Sequence, residues 1–126
     1  PAILECTLHG QQQPLQKCLQ VVFNAIHSHD DAWPFRQSVS VKEAPDYYHV
    51  IKDPIDLSLI QRKLENNFYA SVAMFLADVC RMCENCRLYN GDTETGYWDY
   101  AVRLETYARG KCAEISSRKR QMKIAL

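Results

Sequence analysis

Between residues 72 and 86 the apolar side chains fall at Val72, Phe75, Leu76, Val79, Met82, Cys83 and Cys86. Steps of three and four collect on one face of an α-helix and scatter over both faces of a strand, so this stripe demands a helix with a partner to bury it. The same spacing recurs at Leu15, Leu19, Val22, Phe23 and Ile26, at Leu57, Ile60 and Leu64, and at Tyr97, Ala101, Leu104, Ala108, Cys112 and Ile115. Asp56 and Ser71 stand where N-caps are needed, Asn66-Asn67 closes the second helix, and the fourth runs into SSRKRQMK. No stretch alternates as a strand does and no segment repeats. Four amphipathic helices in 126 residues, 47% apolar and 24% charged, predict one all-α domain: an up-down four-helix bundle with its stripes facing inward.

The formal net charge is zero, so no chain-wide field draws the protein to nucleic acid or to an anionic membrane, and partners must be read locally. No run approaches the roughly 18 apolar residues of a membrane span, and no membrane partner is expected. The six cysteines are accompanied by ample core-forming sequence, and PAILECTLHGQQQ lacks the basic and apolar regions of a secretory leader. Free thiols in a reducing compartment are expected. The start at Pro1 suggests a processed chain or a piece of a larger one.

Several constellations invite chemistry and carry little of it. Cys80, Cys83 and Cys86 stand at C-x₂-C-x₂-C spacing, but the iron–sulfur run needs a fourth cysteine where Asn90 stands, and zinc needs a second ligand pair that the chain lacks. They are expected to be core cysteines, with neither metal nor cofactor bound. In His27-Ser28-His29-Asp30-Asp31 the two imidazoles are two residues apart and cannot chelate together on a helix, so a solvated helix end is expected. There is no nucleophile elbow, phosphate-binding glycine loop or dinucleotide fingerprint, and the domain is not expected to be an enzyme. Arg118, Lys119, Arg120 and Lys123 suit the negative end of a helix dipole, or a contact with nucleic acid or an import signal.

A plain bundle does not need the connection from Asp31 to Asp56. It is long for a compact domain, is broken by Pro34, Pro45 and Pro54, has only DYYHVI to make a helical turn or two, and carries Trp33, Phe35, Tyr47 and Tyr48, which argue against disorder. In an up-down bundle it shares one end with the loop after Tyr89-Asn90. Together the two loops can wall a pocket whose aromatic and β-branched sides and single amide suit a ligand with an apolar stem and an amide oxygen.

The ordered set WPF-x₃-V, APDYYHVIKDPIDL and a third helix ending NCRLYN resembles a bromodomain, the acetyl-lysine reading module. The resemblance covers Leu15 to Ile115. AWPF, IKDPIDL and MFLADVCRMCENCRLYN make the chain most similar to the bromodomain of GNAT-type histone acetyltransferases of transcriptional co-activator complexes. It implies a left-handed bundle over residues 14–117, with 1–13 as an N-terminal flank and 118–126 as a basic tail or helix end. The implied role is a monomeric nuclear module that binds acetylated histone tails, or other acetylated peptides, and targets a parent acetyltransferase whose catalytic domain lies elsewhere.

By the same resemblance, Asn90 donates its amide to the acetyl carbonyl and Tyr47 reaches that oxygen through a water. Trp33, Pro34 and Phe35 form a shelf at the mouth, Val39, Ala44, Cys86 and Tyr89 line the walls, and Tyr97 stands as gatekeeper. Gly91 replaces the proline that often follows the asparagine. The following loop is one residue longer than in near relatives, which would bring Gly96 or Trp98 nearer the rim, and Ala44 widens its wall.

Acetylation turns a cation into a neutral amide, so an apolar pocket without an anion rejects free lysine mainly through its desolvation cost. The first loop, from Arg36 to Asp56, carries a net −1, and Asp92 and Glu94 add −2, a rim of about −3 that would favour lysine-rich segments. Two other classes compete: a metal or redox protein, and a helical-bundle interaction scaffold that does not bind acetyl-lysine.

Overall fold

The computed structural model describes residues 12–92 and 94–125; the side chains of 12, 13, 116 and 118–126 are not described. All regular structure among these residues is helical: α1 Gln12–Ser28, a 3-10 turn Asp30–Phe35, α2 Tyr47–Val50, α3 Leu57–Glu65, α4 Val72–Asn90 and α5 Tyr97–Ala125. No helix among them is long and apolar enough to cross a membrane. The N-terminal flank and the basic tail's side chains lie outside the described residues.

The helix ends follow from side-chain chemistry. Pro14 sits in the first turn of α1, where its missing N–H has no intrahelical partner to lose. Asp56 starts α3 by accepting from the backbone N–H groups of Ser58 at 2.8 Å and Leu59 at 3.2 Å, and Ser71 starts α4 by accepting from Met74 N–H at 3.1 Å. Asn67, at φ 55°, turns the chain out of α3. Gly91 ends α4 at φ 61° and ψ −166°, a region open essentially to glycine alone, while its N–H still donates to Arg87 O at 2.8 Å. Proline, locked near φ −65°, cannot take that conformation.

The four stripes meet in one core. Leu19 and Ile26 of α1, Leu57 and Ile60 of α3, Phe75, Val79 and Cys83 of α4, and Ala101, Leu104 and Ala108 of α5 are all completely buried. The pairing of α4 with α5 is the most extensive, because Ala101 and Ala108 let the two backbones approach. Cys80, Cys83, Cys86 and Cys112 are buried with free thiols, and burial pushes each thiol's pKa up. They pack as the helical spacing predicts.

One buried polar cluster braces the connection between α3 and α4. Asp78, 6% exposed, accepts from the Tyr69 hydroxyl at 2.6 Å and Lys63 Nζ at 2.9 Å, and pairs with Arg81 Nη1 at 3.2 Å. Gln16 Nε2 donates to Tyr69 O at 2.6 Å. With Tyr69, Lys63 and Arg81 around it, the carboxylate is satisfied where an isolated one would cost several kcal/mol.

The His27–Asp31 segment is only partly the solvated helix end that its composition suggests. His27 is exposed, but His29 Nδ1 accepts from Asp31 N–H at 3.0 Å to cap the 3-10 turn, and its ring lies 4.6 Å from that of Tyr107. Asp31 receives the Arg103 guanidinium through two bonds of 2.9 and 3.1 Å, which hold its carboxyl below the usual range. These bonds fix the segment from which Trp33, Pro34 and Phe35 project.

Candidate functional site

The long loop and the end of α4 enclose a cavity of about 540 Å³. Trp33, Pro34, Phe35, Val39, Ala44, Tyr47, Cys86, Tyr89, Asn90 and Tyr97 all line it. Residues spread over 65 positions of sequence therefore converge on one space.

At the α4 end, Asn90 is held by its own helix. Its Nδ2 donates to Cys86 O at 2.9 Å and lies 3.6 Å from Cys86 Sγ. An amide nitrogen carries two hydrogens; the carbonyl takes one, and among the described residues the other meets only a thiol, a weak acceptor that a ligand carbonyl would displace. Burial raises the Cys86 thiol while the Asn90 contact and Arg87 oppose it, and its Sγ lies 3.5 Å from Tyr97 O. The thiol is thus a neutral part of the wall.

Tyr47, 6% exposed, opposes this end. Its ring packs edge-on against Tyr89 at 4.9 Å and Tyr48 at 5.2 Å, and among the described residues its hydroxyl has no hydrogen-bond partner. Burial above all, with smaller contributions from Cys86, Tyr48, Asp56 and Tyr89, pushes its pKa up to about 12, so it remains a neutral hydroxyl. Tyr48 donates to Val39 O at 2.7 Å and Tyr89 donates to Asp46 Oδ1 at 2.6 Å, two bonds that fold the loop over the cavity.

Trp33, half exposed, leans on Tyr97 at 6.0 Å and on Tyr100 at 5.6 Å at the other side of the mouth. Tyr97 lines the cavity, whereas Trp98 turns out toward Arg87, 6.0 Å from its ring centroid. Neither Gly96 nor Trp98 lines the cavity; Gly96 turns the chain at φ 83° just before α5.

The wall also holds residues that sequence reasoning missed: Gln37, Ser38, Ser40, Glu43, Tyr48, Pro54, Ile55, Asp56, Leu59, Arg62 and Met82. Two of them carry negative charge, so the cavity is not free of anions. Both Asp56 oxygens are engaged, one by the α3 N–H groups and the other by the Ser38 hydroxyl at 2.9 Å, and Glu43 is exposed to solvent. The apolar end is the one bounded by Phe35, Ile55, Met82 and Cys86, each buried. Ser38 and Asp56 are 18 positions apart, and no local pattern announces their bond.

Comparison with known proteins accords with this geometry. Residues 18–102 match the family model described as Bromodomain. The chain is 37% identical over 115 residues to the histone acetyltransferase GCN5 of Yarrowia lipolytica, covering 91% of this chain and 25% of that protein. It is 42% identical over 89 residues to the nucleosome-remodeling factor subunit NURF301 of Drosophila melanogaster, covering 71% of this chain and 3% of that one. The chain thus spans a quarter or less of these curated relatives' length. Among solved structures, CpBRD2 from Cryptosporidium is similar with a TM-score of 0.73 and 36% identity, over 78% of this chain and 91% of that one. The bromodomain of human BAZ1A is similar with a TM-score of 0.73 and 31% identity, over 78% and 94%. The match over two thirds of its length, together with these relatives, shows that the chain belongs to the bromodomain family, a binding-module fold with a chromatin-associated acetyl-lysine reader role.

Proposed function

We propose that this domain binds acetylated lysine in histone tails, with Asn90 donating to the acetyl oxygen and Tyr47 reaching it through water. The observation that carries this reading is that Asn90 and the largely buried Tyr47 line one cavity whose inner end is apolar. An acetyl-lysine brings an apolar stem to such walls and one strong acceptor to their donors. A lysine ammonium brings a charge whose desolvation the buried end does nothing to offset, a cost of several kcal/mol. Glu43 and Asp56 lie in the wall, one in solvent and the other already bonded, so neither reverses this preference. Trp33, Pro34 and Phe35 form the shelf, Val39, Ala44, Cys86 and Tyr89 the walls, and Tyr97 the gate.

The reading unit is residues 14–117, acting as a monomer in the nucleus and targeting the acetyltransferase of which it is a part to chromatin. Contact with nucleosomal DNA through Arg118, Lys119 and Arg120 is a secondary element of this proposal. One side chain in a pocket makes a small interface, so binding is weak by itself and gains strength from neighbouring modules.

Calorimetric titration of wild type and Asn90→Ala with acetylated and unacetylated histone-tail peptides tests the reading. Heat is expected only for wild type with acetylated peptide. If acetylated peptides from several tails fail to bind a well-folded sample, a scaffold that ignores acetylation takes its place.

A further inference from the structure

The helix that carries Asn90 also holds a second part of the cavity wall. Asn85, one turn before Tyr89 on α4, donates from Nδ2 to the backbone carbonyl of Asp53 at 2.9 Å. Asp53 ends the segment that follows α2, and the next three residues, Pro54, Ile55 and Asp56, all line the cavity. Pro54 has a fixed φ, Ile55 is buried, and Asp56 begins α3, so little slack separates the held carbonyl from the wall. Asn85 itself does not line the cavity.

A second link runs through Arg81, one turn further back. Its Nη1 pairs with Asp78 at 3.2 Å, and its Nε lies 3.4 Å from Asp53 Oδ2 without forming an aligned hydrogen bond. The Asp53 carboxylate is 73% exposed, so water and salt screen that pair and it fixes little. The Asn85 bond, though also exposed, differs in its acceptor, a backbone carbonyl whose position is set by the main chain and not by a second mobile side chain. Asn85 and Asn90 are five residues apart on one helix, about 7.5 Å along its axis. One helix therefore carries both the donor and the side chain that holds the Pro54–Asp56 wall.

We infer that Asn85 is a positioning residue for ligand binding: through the Asp53 carbonyl it fixes the Pro54–Asp56 wall relative to Asn90, without touching the ligand. The inference rests on the acetyl-lysine reading for its effect on affinity, and on nothing but the fold for its effect on the loop.

The experiment compares wild type, Asn85→Ala, Asn85→Asp and Asp53→Asn by amide hydrogen exchange and by titration with an acetylated histone-tail peptide. Asn85→Ala and Asn85→Asp, which cannot donate, should speed exchange at residues 51–57 several-fold and weaken the peptide by about 3- to 10-fold, with exchange in the α4–α5 core unchanged. Asp53→Asn keeps the carbonyl and should stay near wild type in both. Unchanged exchange at residues 51–57 in both Asn85 variants overturns the inference, as does faster exchange throughout the bundle or an equal effect of Asp53→Asn. If wild type binds no acetylated peptide, the reader proposal fails and the exchange results still decide whether Asn85 holds the wall.

Discussion

The Tyr89 hydroxyl donates to the Asp46 carboxylate at 2.6 Å, tying the last turn of α4 to the loop that closes the cavity. The two are 43 positions apart, and this hydrogen bond, with burial a smaller cause, raises the Tyr89 pKa and keeps its proton in place. Tyr89 also packs on Tyr47, so the tie reaches the ring that presents the free hydroxyl. Tyr89→Phe keeps the ring contact and removes the tie. Affinity for an acetylated peptide should fall about 2- to 5-fold while the fold is retained, measured by titration calorimetry and circular dichroism, because the loop must then pay ordering entropy on binding.

Removing the amide of Asn90 has a larger expected effect. Asn90→Ala leaves a ligand carbonyl buried without its donor, a loss of about 1–3 kcal/mol, or roughly 5- to 150-fold in dissociation constant. Asn90→Asp, which has the same size and no N–H to donate, should lose at least as much. Wild-type affinity in Asn90→Asp would mean that the carbonyl finds its donor elsewhere.

Much of this was legible from periodicity and end signals. The stripes of α1, α3, α4 and α5, the caps Asp56 and Ser71, and the closing Asn66-Asn67 depend on neighbours within one or two turns, and each lies where local spacing puts it. Bundle topology put the loop of Trp33, Pro34, Phe35 and Tyr47 beside Tyr89-Asn90 as the walls of a pocket, whereas Val39, Ala44, Cys86 and Tyr97, and the role of each lining residue, came from family resemblance. The ties that set the cavity's shape were not legible: Tyr89 to Asp46, Tyr48 to Val39, Ser38 to Asp56 and Asn85 to Asp53 are single hydrogen bonds between distant segments. Polar residues in an aperiodic loop look the same whether they face water or each other. Asp56 shows the limit well, because its cap is a local pattern and its bond to Ser38 is not.

Gly91 tests whether conformation or crowding decides the end of α4. A methyl group there would meet nothing within 4 Å, but the backbone at φ 61° excludes ordinary side chains. Gly91→Ala should therefore destabilise the domain by about 1–3 kcal/mol, seen as a lower thermal midpoint, although there is room for the added atom. Gly91→Pro should be worse still, because it also removes the N–H that donates to Arg87 O.

Alkaline pH reports on the buried phenols. Tyr47 and Tyr69 both have pKa values raised above 10, Tyr47 to about 12, with burial the leading cause in each and the Asp78 hydrogen bond adding to it at Tyr69. A folded-state pKa above the unfolded value means stability that is fully present below pH 10 and is lost as pH rises through the folded value. Denaturant midpoints should begin to decline above about pH 9, where the four buried thiols with raised pKa contribute first, and decline further beyond about pH 10 as the phenols add to the loss. Phenolate absorbance should show these two tyrosines titrating only as the protein unfolds. Tyr69→Phe should lower stability by about 1–3 kcal/mol at neutral pH, because Asp78 loses its shortest hydrogen bond.

Thiol reactivity can locate a ligand without relying on its affinity. Cys18 is exposed, whereas Cys80, Cys83, Cys86 and Cys112 are buried and burial raises the pKa of each. The thiolate is the reacting form, so at pH 7.5 an alkylating agent should label Cys18 quickly and the four buried thiols far more slowly. Of those four only Cys86 lines the cavity, and it is about one-tenth exposed. Saturating acetylated peptide should slow labelling of Cys86 and leave Cys80 and Cys112 at their own rates, read by mass spectrometry of the digested protein. Global stabilisation by ligand would slow all four together, since each would then react only through unfolding. Selective protection of Cys86 therefore distinguishes a ligand seated against Asn90 from one bound to a helix face, and unchanged labelling of Cys86 at saturation would place the ligand outside the cavity.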